Sequence, residues 1–263
     1  MYYEPFEQGP IRPPSEAYSL LIRATRNCPW NRCRFCSTYK SNKFELRPVE
    51  DIKTDILKVK EIQDEIKTLA LRQGFGINVR PFILAVLRNP PSHAHYQIAL
   101  WMQGGSQNVF LQDANSIIMR TPDLVEVLKF LKTTLPTVNR ITCYGRSHTA
   151  AHKTLDELKA IHEAGLTRLH IGLESGSDTI LKIMNKGVTA EQHITGGRNV
   201  VASGISLSEY VLLGLGGQGL WREHALETAR VLSAINPDFI RIRTLGIYPG
   251  LPMYEDVENG TFI

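Results

Sequence analysis

Three of the chain's four cysteines stand within nine positions, in the stretch "RNCPWNRCRFCSTYK" (26–40). Cys28 is followed by four residues and Cys33, then by two residues and Cys36. Thiolates are soft ligands for zinc or iron, so thiols crowded at this spacing point to a metal site. A structural zinc site wants four protein ligands in a closed tetrahedron. The nearest further candidates, His93 and His95, lie in a separate segment broken by Pro90 and Pro91. An iron–sulfur cube is held at its iron corners by cysteine, and three cysteines leave one corner open to an exogenous ligand. Cys143 lies far along the chain, so the count also disfavours disulfides.

The rest of the composition bounds the setting. At 263 residues the chain suits one large domain or two small ones, and its 43% hydrophobic and 21% charged content is ordinary for a soluble protein. The opening "MYYEPFEQGPIRPPSEAY" is polar and proline-rich, unlike a signal peptide, and no apolar run approaches the ~20 residues of a membrane span. A cytoplasmic protein with no membrane partner is the expectation. The net charge of +4 is too small to indicate a nucleic-acid binder. Between Arg23 and Arg47, however, seven cations face one acid, Glu45. Such a stretch reads either as a solvated loop or as a docking surface for an acidic partner.

The elements that must position the cysteines follow from periodicity. Residues 1–16 read as an N-terminal arm and 17–263 as the core domain. "AYSLLIRAT" (17–25) is a buried strand running into the cysteine loop. Val49, Ile52, Ile56, Val59, Ile62 and Ile66 form one helical stripe. Residues of about 70–106 form a helical insertion broken by prolines. Strands at 108–114, 140–146, 168–175, 208–216 and 238–247 then alternate with helices, which implies right-handed crossovers and a parallel sheet. Six β/α units with one polar strand face describe a partial (β/α)6 TIM-like barrel: a doubly wound sheet would be apolar on both faces.

In this reading Ile240 and Ile242 face outer helices while Arg241 and Arg243 face the lumen. Arg146 and Glu174 join them there from neighbouring strands. Cys143 alternates outward with Ile141 and reads as a packed core thiol. His148, His152 and His162 read as structural or surface residues. The cysteine loop sits at the C-terminal end of the first strand, the end where β/α barrels place their chemistry.

With three cysteines after the first strand of such a barrel, and aromatic Phe35 before the last of them in "CRFC", the chain resembles the radical SAM enzymes over residues of about 17–254. The family's usual spacing is three residues then two; here it is four then two. The resemblance implies that Cys28, Cys33 and Cys36 hold a 4Fe–4S cluster, with S-adenosylmethionine (SAM) on its open iron. One electron then cleaves SAM, and a 5′-deoxyadenosyl radical abstracts hydrogen from a small substrate. It further implies Gln112 and Asp113 in "FLQDAN" at the SAM amino group and Arg146 at its carboxylate. Glu174 and Ser175 in "GLESGSD" would contact the ribose, Gly214 and Gly216 in "LLGLGGQG" the adenine, and Arg243 either SAM or substrate. Phe35 completes the cofactor contacts. Arg23, Arg241, Tyr144 and Tyr210 are candidates for a substrate of anionic character, and the basic stretch for docking a flavodoxin or ferredoxin. A non-catalytic iron–sulfur electron carrier and a zinc-binding module are the rival readings.

Overall fold

The apolar stripes named above are the surfaces on which the chain packs in the computed structural model, which describes residues 5–76 and 78–262. After β1 (Leu20–Arg23) come two short strands, β2 (Thr25–Arg26) and β3 (Glu45–Leu46), and the helix α1 (Val49–Arg72). The insertion folds as α2 (Arg80–Arg88) and α3 (His93–Gln103). The alternating part then runs β4 (Asn108–Gln112), α4 (Thr121–Thr134), β5 (Arg140–Gly145), α5 (Ser147–His152) and α6 (Leu155–Ala164). It continues through β6 (Leu166–Glu174), α7 (Asp178–Ile183), α8 (Ala190–Ala202), β7 (Ser206–Leu213), α9 (Gly217–Ile235) and β8 (Phe239–Thr244). A last helix, α10 (Pro252–Glu258), closes the described chain.

Local chemistry sets several of these boundaries. Thr154 and Glu157 form a capping box that opens α6, and Gly165 at φ 127° ends it. Thr189 and Gln192 do the same for α8. Ile52, Ile56, Val59, Ile62 and Ile66 are the buried face of α1.

The six-stranded sheet has the order β1-β4-β5-β6-β7-β8, and every neighbouring pair is parallel. Sequential strands lying side by side, joined by helices, make the partial TIM-like barrel that the periodicity predicts. Cys143 is a fully buried member of the main hydrophobic cluster, and burial alone pushes its thiol far above the ordinary range.

Three features differ from expectation. First, β2 and β3 pair as an antiparallel ribbon, which ties off the cysteine loop at its base. Second, the lower lumen, expected from the polar strand face to be lined by charged groups, is packed with rings. Phe110, Tyr144, His170 and Tyr210 fill it in edge-on and tilted contacts with centroids 5.1–6.3 Å apart. The N-terminal segment runs along it as well. Gln112 bonds the backbone of Gly9 and Ile11, and Glu16 is fully buried against Arg140 and His170.

Third, Ile240 and Ile242 are not covered: they are 53% and 57% exposed. After β8 the chain does not turn back across the sheet. It leaves for α10, where Met253 joins Ile180, Met184 and Leu215 in a second cluster, with Phe35 of the cysteine loop packed against it.

Candidate active site

The cysteine loop is held from outside its own sequence. Trp30 Nε1 donates to the Asn185 carbonyl at 2.7 Å, and the Arg34 amide donates to the Met184 carbonyl at 3.0 Å. Arg34 also pairs with Asp256 of α10 at 2.5 Å, and its carbonyl accepts from the Met253 amide. The segment that follows α7 and the helix α10 therefore grip the loop on two sides.

Cys28, Cys33 and Cys36 all line one cavity of about 340 Å³ at the C-terminal ends of the strands. Its wall also contains Phe35, Tyr144, Arg146, Glu174, Tyr210 and Arg243, which the sequence had singled out. Burial pushes the Cys33 thiol up; Lys186 and Arg146 oppose this, while Cys36 and Cys28 add to it. The Cys33 thiol thus stands within electrostatic reach of the other two thiols and of two cations.

Arg146 is anchored by the carbonyls of Lys186 and Gly187 at 2.9 and 3.3 Å and stacks on Trp30, with its guanidinium carbon 5.1 Å from the ring centre. Lys186 Nζ meets Glu174 Oε1 at 3.1 Å and lies 5.8 Å from the centre of the Phe35 ring. Burial works against the charge of Lys186, but Glu174 and the Cys33 thiol hold its pKa above the usual value.

Glu174 reaches the cavity through a bulge. The β6–β7 register shifts between Gly172 and Glu174, and Glu174 adopts φ 64°, a conformation rare outside glycine. Gly172 makes the room: a Cβ there would stand 2.2 Å from Glu174 Oε1.

Other expected site residues are elsewhere. Asp113 is fully buried and does not line the cavity. Its Oδ2 accepts from Arg23 at 2.6 and 2.8 Å and from the Asn27 amide at 3.0 Å. Gln112 is committed to Gly9 and Ile11. Arg23 is neutralised by Asp113 and Glu7, so it offers no free charge to an anion. Arg241 bonds Ser208 Oγ at 2.9 Å and lies outside the cavity lining.

Ser175 is buried against His224, at 2.9 Å. Gly214 faces a separate surface hollow beside Trp221 and Leu245, and Gly216 lines no described cavity. Strand ends were legible, but which side chains turn inward there depends on bulges and loop turns that carry no periodicity.

The cavity also contains residues that the sequence reading did not select. Ile11 comes from the arm, Trp30 and Tyr39 from the cysteine loop, Lys186 from the "MNKG" turn, and His148 and His193 from α5 and α8. Burial pulls His193 down to about 3, and its Nδ1 meets Ser147 Oγ at 2.5 Å, so the ring is neutral. The basic stretch is mostly spent internally. Arg23, Arg26, Arg34 and Arg47 are ion-paired, and Lys40 donates to the carbonyls of Asn31 and Cys33. Arg32 and Lys43 remain exposed.

Comparison with known proteins agrees with this architecture. The Radical SAM superfamily model matches residues 97–230, about half of the chain. Among solved structures, methylornithine synthase superposes with a TM-score of 0.52 at 15% identity, covering 89% of this chain and 55% of that one. The radical S-adenosylmethionine methyltransferase TsrM of Kitasatospora setae, with cobalamin and a [4Fe-4S] cluster bound, gives 0.58 at 16%, covering 92% and 37%. Coproporphyrinogen III oxidase of Escherichia coli gives 0.53 at 14%, covering 88% and 44%. At these identities the likeness is one of fold, and the chain spans 37–55% of the length of these three proteins. No curated protein matches the sequence.

Proposed function

This chain belongs to the radical SAM superfamily, and on that premise we propose that Cys28, Cys33 and Cys36 hold a [4Fe–4S] cluster at which SAM is reductively cleaved to act on a small substrate. The observation that carries the reading is the convergence of three thiols on one cavity with two cations beside them. The donor set suits a cube. Three thiols lining one cavity would hold three iron corners of a cube and leave the fourth open. When bound, the cluster and SAM supply one-electron cleavage of a sulfonium carbon–sulfur bond and hydrogen abstraction by the 5′-deoxyadenosyl radical so released.

The chain's own residues then bind, orient and exclude water. Lys186 and Arg146 offset the negative charge of three thiolates, and Arg146 is the candidate for the SAM carboxylate. Glu174, aimed inward by its bulge, is placed to accept hydrogen bonds from a ribose. Phe35, Tyr144 and Tyr210 give the cavity apolar walls that keep solvent from a reactive species. Arg243 lies with its guanidinium carbon 5.4 Å from the Tyr210 ring centre, and its one described hydrogen bond is to the Ile242 carbonyl. Of the three arginines first considered, Arg243 is therefore the one left to meet an anionic substrate. An acidic flavodoxin or ferredoxin would dock on Arg32 and Lys43 rather than on the whole basic stretch.

The test is anaerobic: the protein is reconstituted with iron and sulfide, reduced, and given SAM. 5′-Deoxyadenosine and methionine are expected from the wild type and not from Cys33→Ala. Stoichiometric zinc without iron, or a reducible cluster that never binds SAM, overturns the reading.

A further inference from the structure

The N-terminal segment is bonded to the base of the cysteine loop, and one carboxylate makes most of the connection. Glu7 meets three arginines. It pairs with Arg23 at 2.9 Å and Arg47 at 3.3 Å, and it takes Arg26 in a two-pronged contact at 2.7 and 2.7 Å. Arg26 lies in β2, two residues before Cys28, where the ribbon with β3 ties off the loop. Arg23, held by Glu7 on one side, is held on the other by Asp113, whose same oxygen accepts from the amide of Asn27, the residue before Cys28. Arg47 passes the contact on to Asp55 of α1 at 2.7 Å.

A second set of contacts ties down the same segment independently. The Gly9 amide donates to Gln112 Oε1 at 2.9 Å, and Gln112 Nε2 donates to the carbonyls of Gly9 and Ile11. Gly9 passes so close to Asp113 that an added Cβ would stand 2.0 Å from Oδ1. Ile11 then reaches the wall of the thiol-lined cavity itself. The segment therefore touches the site at its floor and holds its cysteine loop at the root.

Arg23, Arg26 and Arg47 each also have a second acid, Asp113, Glu45 and Asp55, so Glu7 is not their sole counter-charge but the one carboxylate that joins all three. Its removal would free the ribbon that carries Arg26 from the N-terminal segment, and the cysteines are the next residues along the chain. We propose that Glu7 is a positioning residue for the cysteine loop, so that the N-terminal segment must be seated for the three thiols to hold a cluster. The inference rests on the cluster reading above for its consequence, though not for its geometry.

The test uses the full-length chain in two states. In the cluster-free, reduced protein, iodoacetamide labelling is followed cysteine by cysteine. Glu7→Gln is expected to speed labelling of Cys28, Cys33 and Cys36 several-fold while buried Cys143 stays protected, and Glu7→Asp is expected to restore most of the wild-type rate. Gly9→Ala, which displaces the segment from Asp113 without removing a charge, should give the same pattern; it keeps the test open if Glu7→Gln proves unfolded, with Cys143 labelled. After anaerobic reconstitution, both Glu7→Gln and Gly9→Ala should lose bound iron several-fold faster than wild type to a chelator.

Wild-type labelling and iron retention in a folded Glu7→Gln or Gly9→Ala protein overturn the proposal. If the wild type takes up no cluster at all, the functional reading fails instead, and the labelling comparison still decides the positioning role.

Discussion

The two edges of the six-stranded sheet carry similar residues and meet different surroundings. At β1, Leu20, Leu21 and Ile22 are buried, and Arg23 is locked between Glu7 and Asp113. At β8, the alternation of Ile240 and Ile242 with Arg241 and Arg243 continues into solvent, and all but Arg241 of that strand is exposed. The covered edge is the one from which the cysteine loop departs, and it receives the N-terminal segment, the β2–β3 ribbon and α1. The contrast separates what a barrel needs in order to fold from what a reactive loop needs in order to keep its geometry. A six-stranded sheet tolerates one bare side, whereas a loop that must hold three thiols in register is braced by charges paired out of water.

The largest effect that would break this comparison lies at Asp113. Asp113 is fully buried and holds both Arg23 and the Asn27 amide, while Glu7 stays on Arg23, so Asp113→Ala is expected to cost up to about 3–5 kcal/mol. Urea unfolding checks it. A loss below about 1 kcal/mol would mean that the β1 edge is held by its apolar residues alone.

Next in size is Glu16, the buried acid at the foot of the lumen. Burial opposes its charge, yet His170, Arg140 and Ser19 outweigh that and hold its pKa down to about 2 from 4.5. A carboxylate lowered on folding contributes stability that is fully present above its unfolded pKa and is lost as pH falls through its folded one. A depression of this size corresponds to roughly 3 kcal/mol. Glu16→Gln should therefore lower stability at pH 7 by up to that amount and flatten the pH dependence between about 5 and 2. Denaturant midpoints at pH 7 and pH 3 measure both.

Glu209 on β7, one strand in from the bare edge, is the opposite case. It is fully buried, neither carboxylate oxygen has a hydrogen-bond partner among the described residues, and burial, with Glu174 adding to it, raises its pKa well above 4.5. An acid raised on folding weakens the fold as pH climbs above the unfolded value. Glu209→Gln should then stabilise by about 1–2 kcal/mol at pH 8, or a few degrees in Tm for a chain this long, and by less at pH 5. A loss of stability at pH 8 would show that the carboxyl has a partner after all, and the paired-versus-unpaired contrast between the edges would fall.

Much of this organisation was legible in the sequence. The six parallel strands and the alternating helices follow from apolar periodicity, which each segment carries by itself. The cysteine spacing names its chemistry in nine residues. Of the residues assigned to the strands' polar faces and ends, Arg146, Glu174, Tyr144, Tyr210 and Arg243 line one cavity and Arg241 does not. What was not legible depends on single contacts between distant segments. Nothing in "MNKG" announces that Lys186 will stand beside Cys33, and nothing in "FEQGPI" announces a carboxylate for three arginines. Asp113 sat at the expected strand end, but a nearby Arg23 turned it into a brace rather than a ligand. Ile240 and Ile242 have the pattern of covered residues because pattern reports the face of a strand; whether a helix returns to that face is decided by where α10 finds its own apolar partners, on Phe35 and Met184.

The smallest effect sharpens the comparison most directly. Ile242 is 57% exposed, whereas Ile22 on the opposite edge is fully buried. Truncating Ile22 to alanine would open a cavity costing about 2–5 kcal/mol. Ile242→Thr keeps a β-branched side chain suited to a strand and removes apolar surface that already faces water, so its cost should stay within about 0.5 kcal/mol. Because an uncovered apolar edge strand is a template for pairing with other chains, the same substitution should also reduce light scattering on concentration. A loss above about 1.5 kcal/mol would mean that Ile242 packs in solution against something that shields it, and the two edges would then differ only in which neighbour covers them.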